Sequence, residues 1–141
     1  MAFQPKKASE WELFYPKKTA SVEFSIGSAM DWPATPTGYL SPASASTTKF
    51  AGISQRKSAA TDADYAVNTV IACLRPIVPR AVLIALTTSG AATYIGGRYD
   101  LLDDVTVNLA AHAVGRIVMD EYYTSTSAGV HFLEPVETGA T

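Results

Sequence analysis

Along residues 21–26, Val22, Phe24 and Ile26 alternate with Ser21, Glu23 and Ser25, which predicts a strand with one buried face. The same period of two returns in DDVTVNLA (103–110), where Val105, Val107 and Leu109 alternate with polar neighbours. In AVGRIVMDEYY (113–123), Ile117 and Met119 share one face, opposite Val114, Arg116, Val118 and Asp120. In AGVHFLEP (128–135), Val130 and Phe132 alternate with His131 and Leu133. VPRAVLIALTT (78–88) is continuously apolar at its centre and reads as a buried strand. TKFAGIS reads as a strand with Phe50 and Ile53 inward and a bulge at Gly52.

One segment stays open between two readings. Val67, Val70, Ile71 and Leu74 fit a helix face that Thr61 and Asp64 would cap. NTVIACLR (68–75) also fits a buried, β-branched strand that stops at Pro76, and strand is preferred over 64–74. MDWPATPTGYLSPASAS (30–46) carries three prolines and reads as an irregular loop or edge segment, with Trp32 and Tyr39 as surface-contact candidates. Seven or eight short strands separated by turn residues predict an all-β chain, a small β-barrel or β-tulip/sandwich.

The N-terminal stretch breaks this pattern. Pro5-Lys6-Lys7 and Pro16-Lys17-Lys18 flank SEWELFY (9–15). Ser9 and Glu12 form a weak capping box for one helical turn that Pro16 would end. The segment is too short to hide Trp11, Leu13, Phe14 and Tyr15 by itself. They must pack on their own domain, a neighbouring copy or another protein. The predicted organisation is an extended arm over residues 1–20 and a single β domain over residues 21–141.

Composition narrows the function classes. A chain of 141 residues suits one domain with a real core. The net charge of −2 gives no global field toward nucleic acid or an anionic membrane. Charge is nevertheless uneven. Residues 1–20 hold four lysines and two glutamates, whereas residues 100–141 hold Asp100, Asp103, Asp104, Asp120, Glu121, Glu134 and Glu137 against Arg116. The single cysteine, Cys73, lies inside TVIACL and reads as a buried small hydrophobe rather than a nucleophile. No apolar run reaches the ~18 residues that span a bilayer. No hydrophobic core follows the first lysines, which argues against a signal peptide.

The chemistry-bearing residues form no recognisable motif. His112 and His131 have no partner at metal-ligand spacing. Asp103 and Asp104 are adjacent, so a strand sends them to opposite faces. Asp62 and Asp64 share a side if extended, but lack a calcium-loop pattern. Gly96-Gly97 is followed by Arg98, Tyr99 and Asp100, without the lysine or helix of a phosphate loop. Arg56 and Lys57 are two charges among Ser and Ala, too few for a phosphate track.

Phe50-Ala51-Gly52-Ile53, the pair NTVIACLR and RAVLIAL, Val114-Gly115-Arg116-Ile117-Val118 and Gly129-Val130-His131-Phe132-Leu133 follow one another in an order that resembles the small phage capsid decoration (cement, head-stabilising) proteins of β-barrel or β-tulip type. The resemblance spans roughly residues 20–134. Ala66-Val67-Asn68 stands where that family has an Ala-Gly-Asp turn, and the loop at 30–46 is longer. The resemblance implies a non-enzymatic virion protein, made in the host cytoplasm, on the outside of an icosahedral shell. Its partners would be the major capsid protein and itself, as a homotrimer. It would take no cofactor, nucleic acid, membrane or small-molecule substrate. The expected contacts are Trp11, Phe14, Tyr15, Lys17 and Lys18 of the arm, with Trp32 and the loop residues Arg56 and Lys57. Removing residues 1–20, or the loop at 56–62, is then expected to leave the fold intact and weaken shell binding. The rival readings are a tail-tube or head-completion protein, a carbohydrate-binding β-sandwich with Trp11, Trp32, Tyr39, Tyr122 and Tyr123 as stacking faces, and a small hydrolase.

Overall fold

The computed structural model describes residues 2–33, 35 and 37–133. The acidic positions Glu134 and Glu137 lie outside the described residues. The protein is all-β, as the alternation predicts. Its elements are β1 (Gln4–Pro5), β2 (Trp11–Phe14), β3 (Ala29–Asp31), β4 (Ser41–Pro42), β5 (Phe50–Ser54), β6 (Cys73–Pro76), β7 (Leu83–Thr87), β8 (Arg98–Asp103), β9 (Thr106–Asn108), β10 (Ile117–Thr124) and β11 (Ser127–Phe132). Single 3-10 turns occupy Ala8–Glu10 and Ala92–Tyr94. Among the described residues no helix is long and apolar enough to cross a membrane.

Five strands close into a small barrel. The order β7-β11-β10-β8-β9 returns to β7 through a parallel pairing of Leu86 with Thr106 and Thr87 with Val107. Every other pairing in the molecule's two sheets is antiparallel. β1 joins the same side of β7 further back, opposite Leu83 and Ile84. A second sheet runs β2-β6-β5-β3-β4.

The side-chain pattern explains both sheets. In β7, Leu83, Ala85 and Thr87 point inward while Ile84 and Leu86 face out. In β10, Ile117 and Met119 are buried. The barrel interior is continuous with one face of the second sheet. Phe50 of β5 stacks on Phe132 of β11 at 4.0 Å, and Phe3 meets the same ring edge-on at 5.6 Å. The other face of the second sheet carries a smaller cluster of Phe24, Met30, Leu40, Ala51, Ile71 and Cys73. Gly52 permits the close approach of β5 to β6, because a Cβ there would collide with the Leu74 carbonyl oxygen.

Several sequence expectations are corrected. Residues 2–20 are no free arm. β1 pairs with β7, β2 pairs with β6, and Phe3, Trp11 and Lys18 are buried. The segment outside the barrel is held because its apolar groups have a sheet and a core to enter. Residues 21–26 are not a strand. Ser21 has φ 58°, only Phe24 is buried, and it makes one isolated bridge to Ser58. In 64–74 the chain runs through turns, with Val67 and Val70 exposed, and strand pairing begins at Cys73. The Pro-rich stretch contributes β3 and the two-residue edge β4. The loop at 56–62 is not detachable. Ser58 is buried, its hydroxyl donates to the Val22 carbonyl, and its backbone exchanges hydrogen bonds with Phe24.

Candidate functional site

The polar groups that invite a catalytic reading are held in structural roles. Asp100 is buried and its Oδ1 accepts N–H bonds from Val114 (2.9 Å) and Gly115 (2.7 Å), fixing the loop before β10. His131 is buried and its Nδ1 shares a 2.7 Å hydrogen bond with Asp120 Oδ2. His112 Nδ1 lies 2.9 Å from the Arg98 carbonyl oxygen. Asp62 and Asp64 turn toward Lys57 (3.4 Å) and Arg56 (2.6 Å) respectively. The backbone N–H of Ala59 and the Arg56 guanidinium hold these two carboxyls below the usual range. Lys6 meets Glu121 at 2.6 Å, which lowers the Glu121 carboxyl and raises the Lys6 ammonium.

Burial pushes the Cys73 thiol up to about 12, so at neutral pH it is not a thiolate nucleophile. An aromatic disulfide reagent at pH 8 is therefore expected to leave Cys73 untouched in the folded protein and to react fully in denaturant. Stoichiometric reaction of the native protein within minutes would contradict this burial.

The expected contact residues separate into two groups. Trp11 is 7% exposed and sits in the main core. Lys18 is fully buried; its ammonium donates to the Tyr65 carbonyl at 2.9 Å and lies 5.8 Å from the Tyr65 ring centre. Lys18 cannot present a surface contact, and Trp11 keeps only a small part of its surface for one. Phe14 is half-buried under the Arg75 guanidinium at 4.8 Å. Trp32 is half-buried against the smaller cluster. Arg56 is half-buried and ion-paired. Tyr15, Lys17 and Lys57 are exposed. Of the aromatics in the carbohydrate reading, Trp11 is buried, Trp32 and Tyr39 are half-buried, and Tyr122 and Tyr123 are exposed.

Two surface features carry exposed apolar chemistry. The first is a groove of about 410 Å³ lined by Trp11, Ile77, Val78, Arg80, His131 and Phe132, among others. Arg80 has φ 59°, a left-handed turn that swings Ala81 inward and leaves Ile77 and Val78 on the rim. The Trp11 Nε1–H is buried and lacks an acceptor among the described residues. Sequence reading missed this groove because VPRAVLIAL looked like one continuous strand. The two prolines, Pro76 and Pro79, were the available sign of a break.

The second is the outer edge of β2. Trp11 pairs with Pro76, Glu12 with Arg75, Leu13 with Leu74 and Phe14 with Cys73. The same register extends to the bridge between Lys17 and Val70. Ile77 N–H donates to Glu10 C=O, Ile71 N–H to Pro16 C=O, and Lys18 N–H to Thr69 C=O. Even-numbered residues thus turn their backbone groups toward β6, and Leu13 and Tyr15 turn theirs away. Their side chains are 52% and 63% exposed.

No protein-family model matches the chain, and no curated protein matches it.

Proposed function

We propose that this chain is a non-enzymatic structural protein of a phage virion, one that binds the outer surface of an icosahedral capsid and holds neighbouring subunits of the major capsid protein together. The observation that carries the reading is the division of labour among its side chains. The buried histidine and the buried aspartate are engaged in fixing the fold. Large apolar groups stand at least half exposed, Leu13 and Leu86 on strands and Tyr15 and Ile77 just beyond strand ends. Such a surface suits adhesion, where aromatic and aliphatic anchors dominate the energy. The order of strand motifs shared with capsid decoration proteins supports the same reading.

In this role the protein acts as a homotrimer on the capsid exterior and needs no cofactor, nucleic acid, membrane or small substrate. Many identical copies of a modest contact supply avidity without a strong single site. Tyr15, Lys17, Trp32 and Lys57 remain contact residues in the proposal, with Phe14 and Arg56 at their margins. Trp11 and Lys18 leave it, being buried.

The test is the copy number of the chain in gradient-purified particles of its source, by quantitative mass spectrometry against the major shell protein. A ratio within a few-fold of one is the expected result. A handful of copies per particle would point instead to a tail or head-completion part. Absence from particles would overturn the virion reading.

A further inference from the structure

The groove of about 410 Å³ lies where the second sheet meets the barrel. β2 supplies Trp11, β11 supplies His131 and Phe132, and the connection from β6 to β7 supplies Ile77, Val78 and Arg80. Its size falls within the roughly 300–1,000 Å³ of small-molecule sites, which join apolar walls to a few placed polar groups. Among the described residues that line it, Arg80 is the one fixed charge and none is acidic. Asp120, bonded to His131 Nδ1 at 2.7 Å, is not part of the lining. The connection turns at Pro79-Arg80, and Arg80 has φ 59°. Proline followed by a positive φ makes a type II turn, whose second central residue is ordinarily glycine or asparagine. Here an arginine takes the left-handed strain. The fold makes no use of the side chain that comes with it. Arg56, Arg75 and Lys6 are paired with Asp64, Glu12 and Glu121, whereas Arg80 makes no hydrogen bond or ion pair among the described residues. A strained position whose side chain serves no contact of the fold, on the rim of an apolar groove, points to a ligand.

We propose that this groove binds a small amphipathic carboxylate, an aliphatic or aromatic acid. Its apolar body lies against Ile77, Val78 and Phe132, and its carboxylate meets the Arg80 guanidinium. Two properties of the groove select this chemistry. The first is charge. A guanidinium with no carboxylate of its own presents a planar fork of donors that fits two carboxylate oxygens at once. The second is the scarcity of polar groups around it. A phosphate brings more charge and more acceptor oxygens than one cation can satisfy, and apolar walls would leave the rest unpaired. A monoanion with a hydrocarbon body leaves little unmet. No serine, threonine, cysteine or lysine is among the described residues of the lining, so the ligand is held rather than converted. The inference does not rest on the capsid reading.

The test titrates the full chain with octanoate and, as the uncharged control, with 1-octanol, by calorimetry. Octanoate is expected to bind saturably and at least about tenfold more tightly than octanol. Arg80→Gly removes the cation and suits the turn. It is expected to weaken octanoate at least about tenfold, to leave octanol unchanged, and to keep or raise the thermal midpoint. Ile77 is half exposed, so Ile77→Ser leaves the fold intact and is expected to weaken both ligands alike. The chain has two tryptophans, so Trp32→Phe leaves Trp11 as the reporter, and its emission should shift on binding. No saturable binding up to about 5 mM octanoate overturns the proposal. So does equal affinity for the two ligands, or binding that survives Arg80→Gly. A thermal midpoint lowered by many degrees in Arg80→Gly would make the arginine part of the fold and overturn it as well. If octanoate binds only after Glu134 and Glu137 are both replaced by glutamine, the cation belongs to the chain's own acidic end, and the free ligand is overturned.

Discussion

Removing residues 1–20 is expected to abolish folding. The truncation deletes Phe3, which is fully buried against Phe132, and Trp11, which is 7% exposed in the same core. Each large-to-nothing loss of this kind costs roughly 3–5 kcal/mol. It also strips β2 from β6, leaving Cys73–Pro76 with one neighbour, and withdraws the Lys18 ammonium from the Tyr65 carbonyl. A domain of this size is stable by only about 5–15 kcal/mol. The combined loss reaches that margin. Near-ultraviolet circular dichroism of the truncated chain should be featureless, and its thermal transition should vanish. A cooperative melt close to that of the full chain would show that the segment merely decorates the domain.

The second large effect is expected from a single methyl group. Gly52→Ala places a Cβ inside van der Waals contact of the Leu74 carbonyl oxygen, with the Leu74 carbonyl carbon at 3.1 Å and the Phe14 ring at 3.2 Å. The first two obstacles are backbone, so no rotamer change relieves them. β5 must move away from β6, and the pairs Ile53–Leu74 and Ser54–Cys73 lie at that contact. The sheet is also irregular here, since Met30 faces Gly52 while Asp31 skips to Phe50. Overpacking of a buried site costs typically 1–3 kcal/mol and more when backbone is the obstacle, so a loss of about 3 kcal/mol is expected in chemical denaturation. Gly38→Ala is the control. That glycine has φ 82° but open space around it, so only the milder left-handed strain of about 1 kcal/mol applies. Equal losses at the two sites would mean that the β5–β6 approach is not the constraint.

Where a strand has core on one side and water on the other, its sequence shows it. Val107 and Leu109, and Ile117 and Met119, were legible as inward positions for that reason, whereas the continuously apolar β7 hid its alternation, with Leu83 and Ala85 inward and Ile84 and Leu86 exposed. β8 was not. Tyr99, Asp100 and Leu101 are buried in succession, and the aspartate accepts from two backbone N–H groups fourteen and fifteen residues away. A buried carboxylate of this kind has no local signature. Residues 21–26 failed in the opposite sense. Their alternation is real, but Ile26 is 46% exposed and no strand lies alongside, so a pattern without a partner gave no strand. The N-terminal aromatics were recognised as too large for their segment, yet their destination was not. β2 finds its partner some sixty residues downstream, and pairing at that distance leaves no mark on composition. The edge at Leu13 and the groove beside Ile77 share this property. Both depend on which strand ends up last in its sheet.

The pairing of β1 with β7 and of β2 with β6 also sets the order in which the chain can acquire structure during synthesis. Ribosomes extend chains at about 5–20 residues per second. Phe3 and β1 are made roughly 80 residues ahead of β7, so they wait on the order of 4–16 s for a partner. The barrel cannot close before β11 has emerged. Through that interval Phe3 stands in a nascent chain with nothing to bury it, and Trp11 and Phe14 wait for β6. The N-terminal segment is therefore the stretch that chaperones must shield, and the place where early termination leaves the stickiest fragment.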